Sequence, residues 1–130
     1  MASYDDDSDT FTSICKVGTG FTDEDLDRLY QILSAKVTVK KNPRIDSGME
    51  ADVWFEPELV IEVVASEITL SPIHRAAQDS VRKESGLALR FPKFTGKIRM
   101  EKAVEDASTN QEVVALYMGQ KKVTYEKNMQ

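Results

Sequence analysis

Apolar residues in this chain come in short runs, and most of these runs stop at glycine or proline. Phe11 to Val17 ends at Gly18-Thr19-Gly20, Leu59 to Val64 lies between Pro57 and Ser71-Pro72, and Leu87 to Phe91 meets Pro92. Runs this short suit strands, and two glycines together permit the positive φ of a sharp change of direction. Phe11 to Val17 alternates Phe11, Ser13 and Cys15 against Thr12, Ile14 and Lys16, the period of a strand. Leu59 to Val64 is β-branched apart from Leu59 and Glu62 and reads as a largely buried strand. Leu87 to Phe91 and Lys97 to Met100 predict shorter strands separated by Pro92 and Gly96.

Two segments carry helix signals instead. Thr22-Asp23-Glu24-Asp25 has capping-box spacing with acidic residues in the first turn, and Leu26, Leu29, Tyr30 and Leu33 then recur at helical period. Thr109-Asn110-Gln111-Glu112 repeats that spacing ahead of Val113, Leu116 and Tyr117. Pro43, Ser47 and Gly48 mark an irregular connection between them. The βαβ alternation of a doubly wound sheet is absent, so the pattern predicts an all-β-dominated fold with two helices, a small β-barrel. An oligonucleotide-binding (OB) barrel fits that pattern without being compelled by it. Residues 1–10, with Asp5, Asp6, Asp7 and Asp9, read as an acidic tail, turn or residual strand. Residues 11–120 read as the folded domain, and 121–130 as a polar, frayed tail.

A chain of 130 residues makes one domain. No apolar run approaches the roughly 20 residues that span a bilayer, and none has the form of a signal peptide, so no membrane role is expected. Cys15 and His74 are the only residues of their types. No internal disulfide and no zinc site of ordinary spacing follow from them, and a reducing cytosolic or nuclear setting is expected. No metal ligands are assigned. The net charge of −5 speaks against a free-standing nucleic-acid binder. Yet from Arg82 to Lys102 seven Lys/Arg face two Glu, a local +5 of opposite sign to the whole. Within it runs Arg90-Phe91-Pro92-Lys93-Phe94-Thr95-Gly96-Lys97-Ile98-Arg99-Met100-Glu101-Lys102, cations interleaved with aromatics, a pairing suited to an anionic partner with flat groups.

That run resembles the last conserved motif of ATP-dependent DNA ligases, RFPRF followed by R-x-D-K. Other pieces are similar to the same family in the same order. They are Cys15-Lys16-Val17-Gly18-Thr19-Gly20-Phe21, Val53-Trp54-Phe55-Glu56-Pro57, Val60 to Val63, Leu70-Ser71-Pro72-Ile73-His74, and Ala107 to Tyr117. In these ligases the region is an OB-fold Greek-key domain, most like that of archaeal and eukaryotic enzymes. The implied function is nick sealing in duplex DNA during replication, repair and recombination, at a cytoplasmic site in archaea or a nuclear one in eukaryotes. Two departures qualify the resemblance. No K-x-D-G occurs, so the lysine that carries the adenylate is missing and the isolated domain is expected to be inactive. The family's OB domain also begins upstream of Tyr4. An incomplete barrel with fewer than five strands of its own is therefore expected, open to completion by a neighbouring molecule.

The resemblance implies roles residue by residue. Arg99 and Lys102 would face the ATP phosphates as catalytic cations, with Lys97 beside them as a phosphate contact. Glu101, where the family has Asp, would orient them. Arg90 and Phe91 would enter the minor groove next to a nick, with Lys93 and Lys16 on DNA phosphates. By period alone Phe91 shares a face with Leu87 and Leu89 and could equally be core. The Gly18-Thr19-Gly20 turn either presents amides to phosphate or simply joins strand to helix. Cys15 reads as a small buried hydrophobe and Trp54 as packing. Glu56, Glu58, Glu62 and Glu67 read as structural or solvated. ATP and Mg²⁺ are implied for the full enzyme, held mainly by an adenylation domain that is absent here. Nicked duplex DNA, that adenylation domain and a sliding clamp reached through other domains are the implied partners. The rival reading is a stand-alone OB module binding single strands or a protein. It would need no Arg99–Lys102 spacing and would depend on stacking aromatics.

Overall fold

Strand pairing follows the glycine and proline punctuation, with more and shorter pieces than the runs suggest. In a computed structural model residues 1–128 are described, with side chains described for residues 1–120. The strands are β1 Ala2–Asp5, β2 Thr10–Ser13, β3 Val37–Thr38, β4 Ile45–Asp46, β5 Trp54–Phe55, β6 Ile61–Val64, β7 Glu67–Ser71, β8 Gly86–Arg90 and β9 Lys93–Ile98. Helix α1 spans Asp23–Leu33 and α2 spans Asn110–Asn128. They form one three-stranded sheet, β1-β2-β4, and three pairs, β3-β5, β6-β9 and β7-β8. The architecture is mixed strand and helix, and among the described residues no closed barrel forms. The expectation of fewer than five strands is corrected to nine among the described residues. The Pro43–Gly48 connection, expected to be irregular, contains the two-residue strand β4 paired with β2, and β7 is a strand the pattern does not predict.

Single backbone bonds stitch these small sheets together. The Ile14 N–H donates to the Met1 carbonyl at 3.0 Å, and the Leu89 N–H donates to the Ile14 carbonyl at 3.0 Å. The Phe94 N–H reaches the Thr19 carbonyl at 2.9 Å. Because both sides of the segment after β2 are engaged, Phe11 to Cys15 are all buried. The inside-outside alternation read from the sequence is lost there. Ile14, Cys15, Ile68, Ala76, Ala77, Leu87 and Val113 form the core, with Leu70, Leu89 and Tyr117 packed against it. Burial also pushes the Cys15 thiol up, in keeping with an inert packing role.

The acidic N-terminal segment is a strand and a tight turn, not a free tail. β1 pairs with β2 from Ala2–Ser13 to Asp5–Thr10. Ser3 and Thr12 hydroxyls both donate to Asn110 Oδ1, at 2.6 and 3.0 Å, which ties this hairpin to the first turn of α2. α1 starts as its capping box dictates, with the Asp25 N–H on Thr22 Oγ1 and the Thr22 N–H on Asp25 Oδ2, both at 3.0 Å. Its stripe is not buried: no α1 residue is, and Tyr30 is 75% exposed. At α2, Thr109 Oγ1 accepts the Glu112 N–H at 3.2 Å and Val113 enters the core. The tail expected for 121–130 is helical backbone as far as Asn128, a run of fair helix formers, and its last two residues lie outside the described ones. β6, expected to be largely buried, is half-buried, with Val64 exposed.

Candidate nucleic-acid and phosphate interface

β7 and β8 pair without interruption from Glu67–Arg90 to Ser71–Gly86. That register sets Glu67 opposite Arg90, and Arg90 Nη1 meets Glu67 Oε1 at 3.0 Å. At the strand end the Arg90 carbonyl accepts two bonds from Ser66, from its N–H at 3.0 Å and its hydroxyl at 3.1 Å. The next residue, Phe91, sits at φ 53°, a left-handed conformation that bulky residues seldom adopt. The turn there breaks the two-residue period. Leu87 is fully buried, whereas Phe91 is 72% exposed. The core alternative for Phe91 is thereby removed. Arg90 lies over the Phe91 ring, 5.0 Å from its centroid, a cation held on an aromatic face.

Phe94 behaves in the opposite way. It is 1% exposed and stacks on Phe21 with centroids 4.8 Å apart. Of the two aromatics in the run, only Phe91 can touch a partner. The Gly18-Thr19-Gly20 turn explains how this inversion is held. Gly20 has φ 91°, and a Cβ there would fall 2.2 Å from the Phe94 carbonyl oxygen. Thr19 Oγ1 donates to the Pro92 carbonyl at 3.1 Å. The loop braces the Arg90–Phe94 turn from beneath, which accounts for both glycine and threonine without a ligand. Lys16, just before it, is exposed, as is Lys93.

β9 carries the run to its other end. Opposite β6 its register runs Lys93–Val64, Phe94–Val63 and then Ile98–Ile61, so Thr95 to Lys97 stand against Glu62 alone. Gly96, at φ 93°, takes up the extra length, and this bulge leaves Lys97 exposed. Beyond it the Arg99 N–H donates to the Val60 carbonyl at 2.8 Å, fixing where the side chain starts. Arg99 Nε donates to Glu101 Oε1, and Nη1 lies 3.7 Å from Glu62 Oε2. The hydrogen bond that Arg99 donates to Glu101, then Coulombic attraction from Glu101 and Glu62, raises the Arg99 pKa. In turn the Arg99 hydrogen bond holds the Glu101 carboxyl below its ordinary range. Lys102 is exposed at the turn that follows, where its N–H reaches the Arg99 carbonyl at 3.2 Å.

Arg90, Phe91 and Lys93 thus share one end of β9, while Arg99 and Lys102 stand past the other, with Lys97 on the bulge between. Across that stretch the partner strand advances only from Val64 to Ile61, so the ends lie about 10 Å apart along the ribbon. Sequence reasoning left Glu62 and Glu67 as structural or solvated, yet each pairs with a cation of the run. Register would have found Glu67 had β7 been recognised. Ser66 gave no signal.

Elsewhere, Asp5, Asp6 and Asp7 bring carboxylate oxygens within 4.8 Å of one another at the β1–β2 turn. Oxygen donors of this kind suit Mg²⁺. The group is mostly exposed, and Asp5 Oδ1 already accepts the Asp7 N–H at 3.1 Å. These acids border a cleft of 510 Å³ that Arg75, Gln78 and Asn110 also line. Its aspartates, Asp46 among them, outweigh the single Arg75, a poor match for a triphosphate. No described helix is long and apolar enough to cross a membrane.

Residues 1–102 match the family described as ATP dependent DNA ligase C terminal region. The DNA ligase of Nitrosopumilus maritimus is 76% identical over 129 residues, 99% of this chain and 22% of that protein. The DNA ligase of Cenarchaeum symbiosum is 77% identical over 123 residues, 95% of this chain and 21% of its own length. DNA ligase 2 of Thermofilum pendens is 47% identical over 128 residues, 98% and 21% respectively. The chain therefore spans about a fifth of the length of the curated relatives it matches.

Proposed function

The chain belongs to the family of ATP-dependent DNA ligase C-terminal regions, and from that premise we propose that it is the domain through which such a ligase grips nicked duplex DNA and the phosphates of ATP. The observation that carries this reading is the separation of two cationic groups to opposite ends of β9. At one end, Arg99 and Lys102 orient the ATP phosphates during lysine adenylylation, with Lys97 as an accessory contact. An arginine fork and a point-charge lysine neutralise charge that builds on the departing pyrophosphate. Glu101 and Glu62 hold Arg99 extended until phosphate replaces them. At the other end, Phe91 enters the groove beside the nick while Arg90, Lys93 and Lys16 meet phosphates.

One orientation cannot serve both ends, so the domain turns between steps. ATP and Mg²⁺ are held mainly by the adenylation domain, where the ion neutralises phosphate charge. The strands are read as part of an OB Greek-key barrel that a neighbouring molecule can complete. Two observations support this: the backbone links between the small sheets and the uncovered stripe of α1. The archaeal relatives favour a cytoplasmic setting, and clamp contacts would come from other domains. The isolated domain should not ligate, for want of K-x-D-G.

The test is self-adenylylation by the complete ligase. Arg99→Ala should slow it at least tenfold with the fold intact by thermal melting. An unchanged rate would remove Arg99 from the reaction.

A further inference from the structure

Val64 lies 27 positions before Phe91 in sequence, yet the fold carries both to one exposed tip. In the β6–β9 register Val63 faces Phe94 and Val64 faces Lys93. Phe94 is fully inside, so the next pair along the ribbon, by strand alternation, points outward. Val64 is 53% exposed and shares that outer side with Lys93. The tip is not a loose end. Ser66 donates twice to the Arg90 carbonyl, at 3.0 and 3.1 Å, and Glu67 pairs with Arg90 at 3.0 Å. These contacts strap the Val64-Ala65-Ser66 corner to the Arg90–Lys93 turn.

A lone exposed valine needs no explanation. Here a second exposed apolar residue is the register partner of Lys93, two positions from the exposed Phe91, on a chain of net negative charge. Cations flanking apolar groups match a groove whose rims are phosphates and whose walls are sugars. We propose that Val64 is a second apolar contact of the groove-facing tip, packing on the sugar wall of duplex DNA beside the nick while Phe91 enters the groove. Ser66 and Glu67 act as positioning residues that fix the two corners relative to one another. The inference rests on the DNA-facing reading of Phe91.

The experiment uses the complete ligase with a nicked duplex, reading nick affinity and self-adenylylation separately. Val64→Thr keeps shape and folding while replacing a methyl with a hydroxyl. It should weaken nicked-duplex binding about three- to tenfold, as expected for lost apolar contact. Self-adenylylation should be unchanged, and Val64→Ile should bind like the parent. Unchanged affinity of Val64→Thr alongside weakened Phe91→Ala would overturn the role of Val64 alone. Unchanged affinity of Phe91→Ala would instead overturn the DNA-facing reading on which it rests.

Discussion

Phe91 and Phe94, three residues apart, should answer mutation in opposite currencies. Phe94→Ala removes a fully buried ring stacked on Phe21 and should cost about 3–5 kcal/mol in denaturant unfolding. Phe91→Ala, on an exposed side chain, should stay within about 0.5 kcal/mol of the parent while losing nick affinity. Equal destabilisation by the two would contradict their placement. Period-2 spacing put Phe91 with Leu87 and Leu89, and only its left-handed φ sends it outward. A backbone angle set by Ser66 and the Thr19–Gly20 brace lies outside what side-chain pattern can register. At Gly20, a Cβ would collide with the Phe94 carbonyl at 2.2 Å. Gly20→Ala should therefore destabilise by at least about 1–3 kcal/mol and weaken nick binding with it.

At the scale of elements, both helices were legible because their capping boxes are local. Thr22–Asp25 and Thr109–Glu112 satisfy backbone donors within one turn, whatever the rest of the chain does. Strands were less legible, since pairing decides them. β7 was missed for lack of any turn signal before Glu67, and the two-residue strands β3, β4 and β5 exist only through partners. The edge of β7 is finished by a side chain: Gln120 Nε2 donates to the Ile68 carbonyl at 2.7 Å and its Oε1 accepts the Ile68 N–H at 2.8 Å. Gln120 thus supplies both ladder bonds of a missing neighbour strand and docks α2. Gln120→Leu should speed hydrogen exchange at Ile68 by about five- to thirtyfold, the loss of roughly 1–2 kcal/mol of local protection. Exchange at parent rates would show that α2 is held without it.

For the whole molecule, one pH dependence follows from His74. Its Nδ1 is buried without a partner among the described side chains, and burial, with Lys16 nearby, lowers its pKa. The folded state therefore disfavours the proton that the unfolded chain takes up near pH 6.5. Stability should be full above that value and decline as pH falls toward the lower folded pKa, and His74→Gln should flatten the decline. The overall sign of charge, negative, was the least informative property of the sequence. What matters is that Arg90 and Lys93 stand at one end of β9 and Arg99 and Lys102 past the other. That arrangement depends on the β9 bulge and on register, which composition does not contain.

The proposed division of labour between the ends of β9 is tested by separating the steps in the complete ligase. Self-adenylylation and single-turnover sealing of a pre-adenylylated nick are followed for Arg99→Ala and Phe91→Ala side by side. Arg99→Ala should slow the first at least tenfold and leave the second close to the parent rate. Phe91→Ala should do the reverse. Two variants that slow both steps alike, or neither, would contradict the claim that the ends of β9 serve different partners.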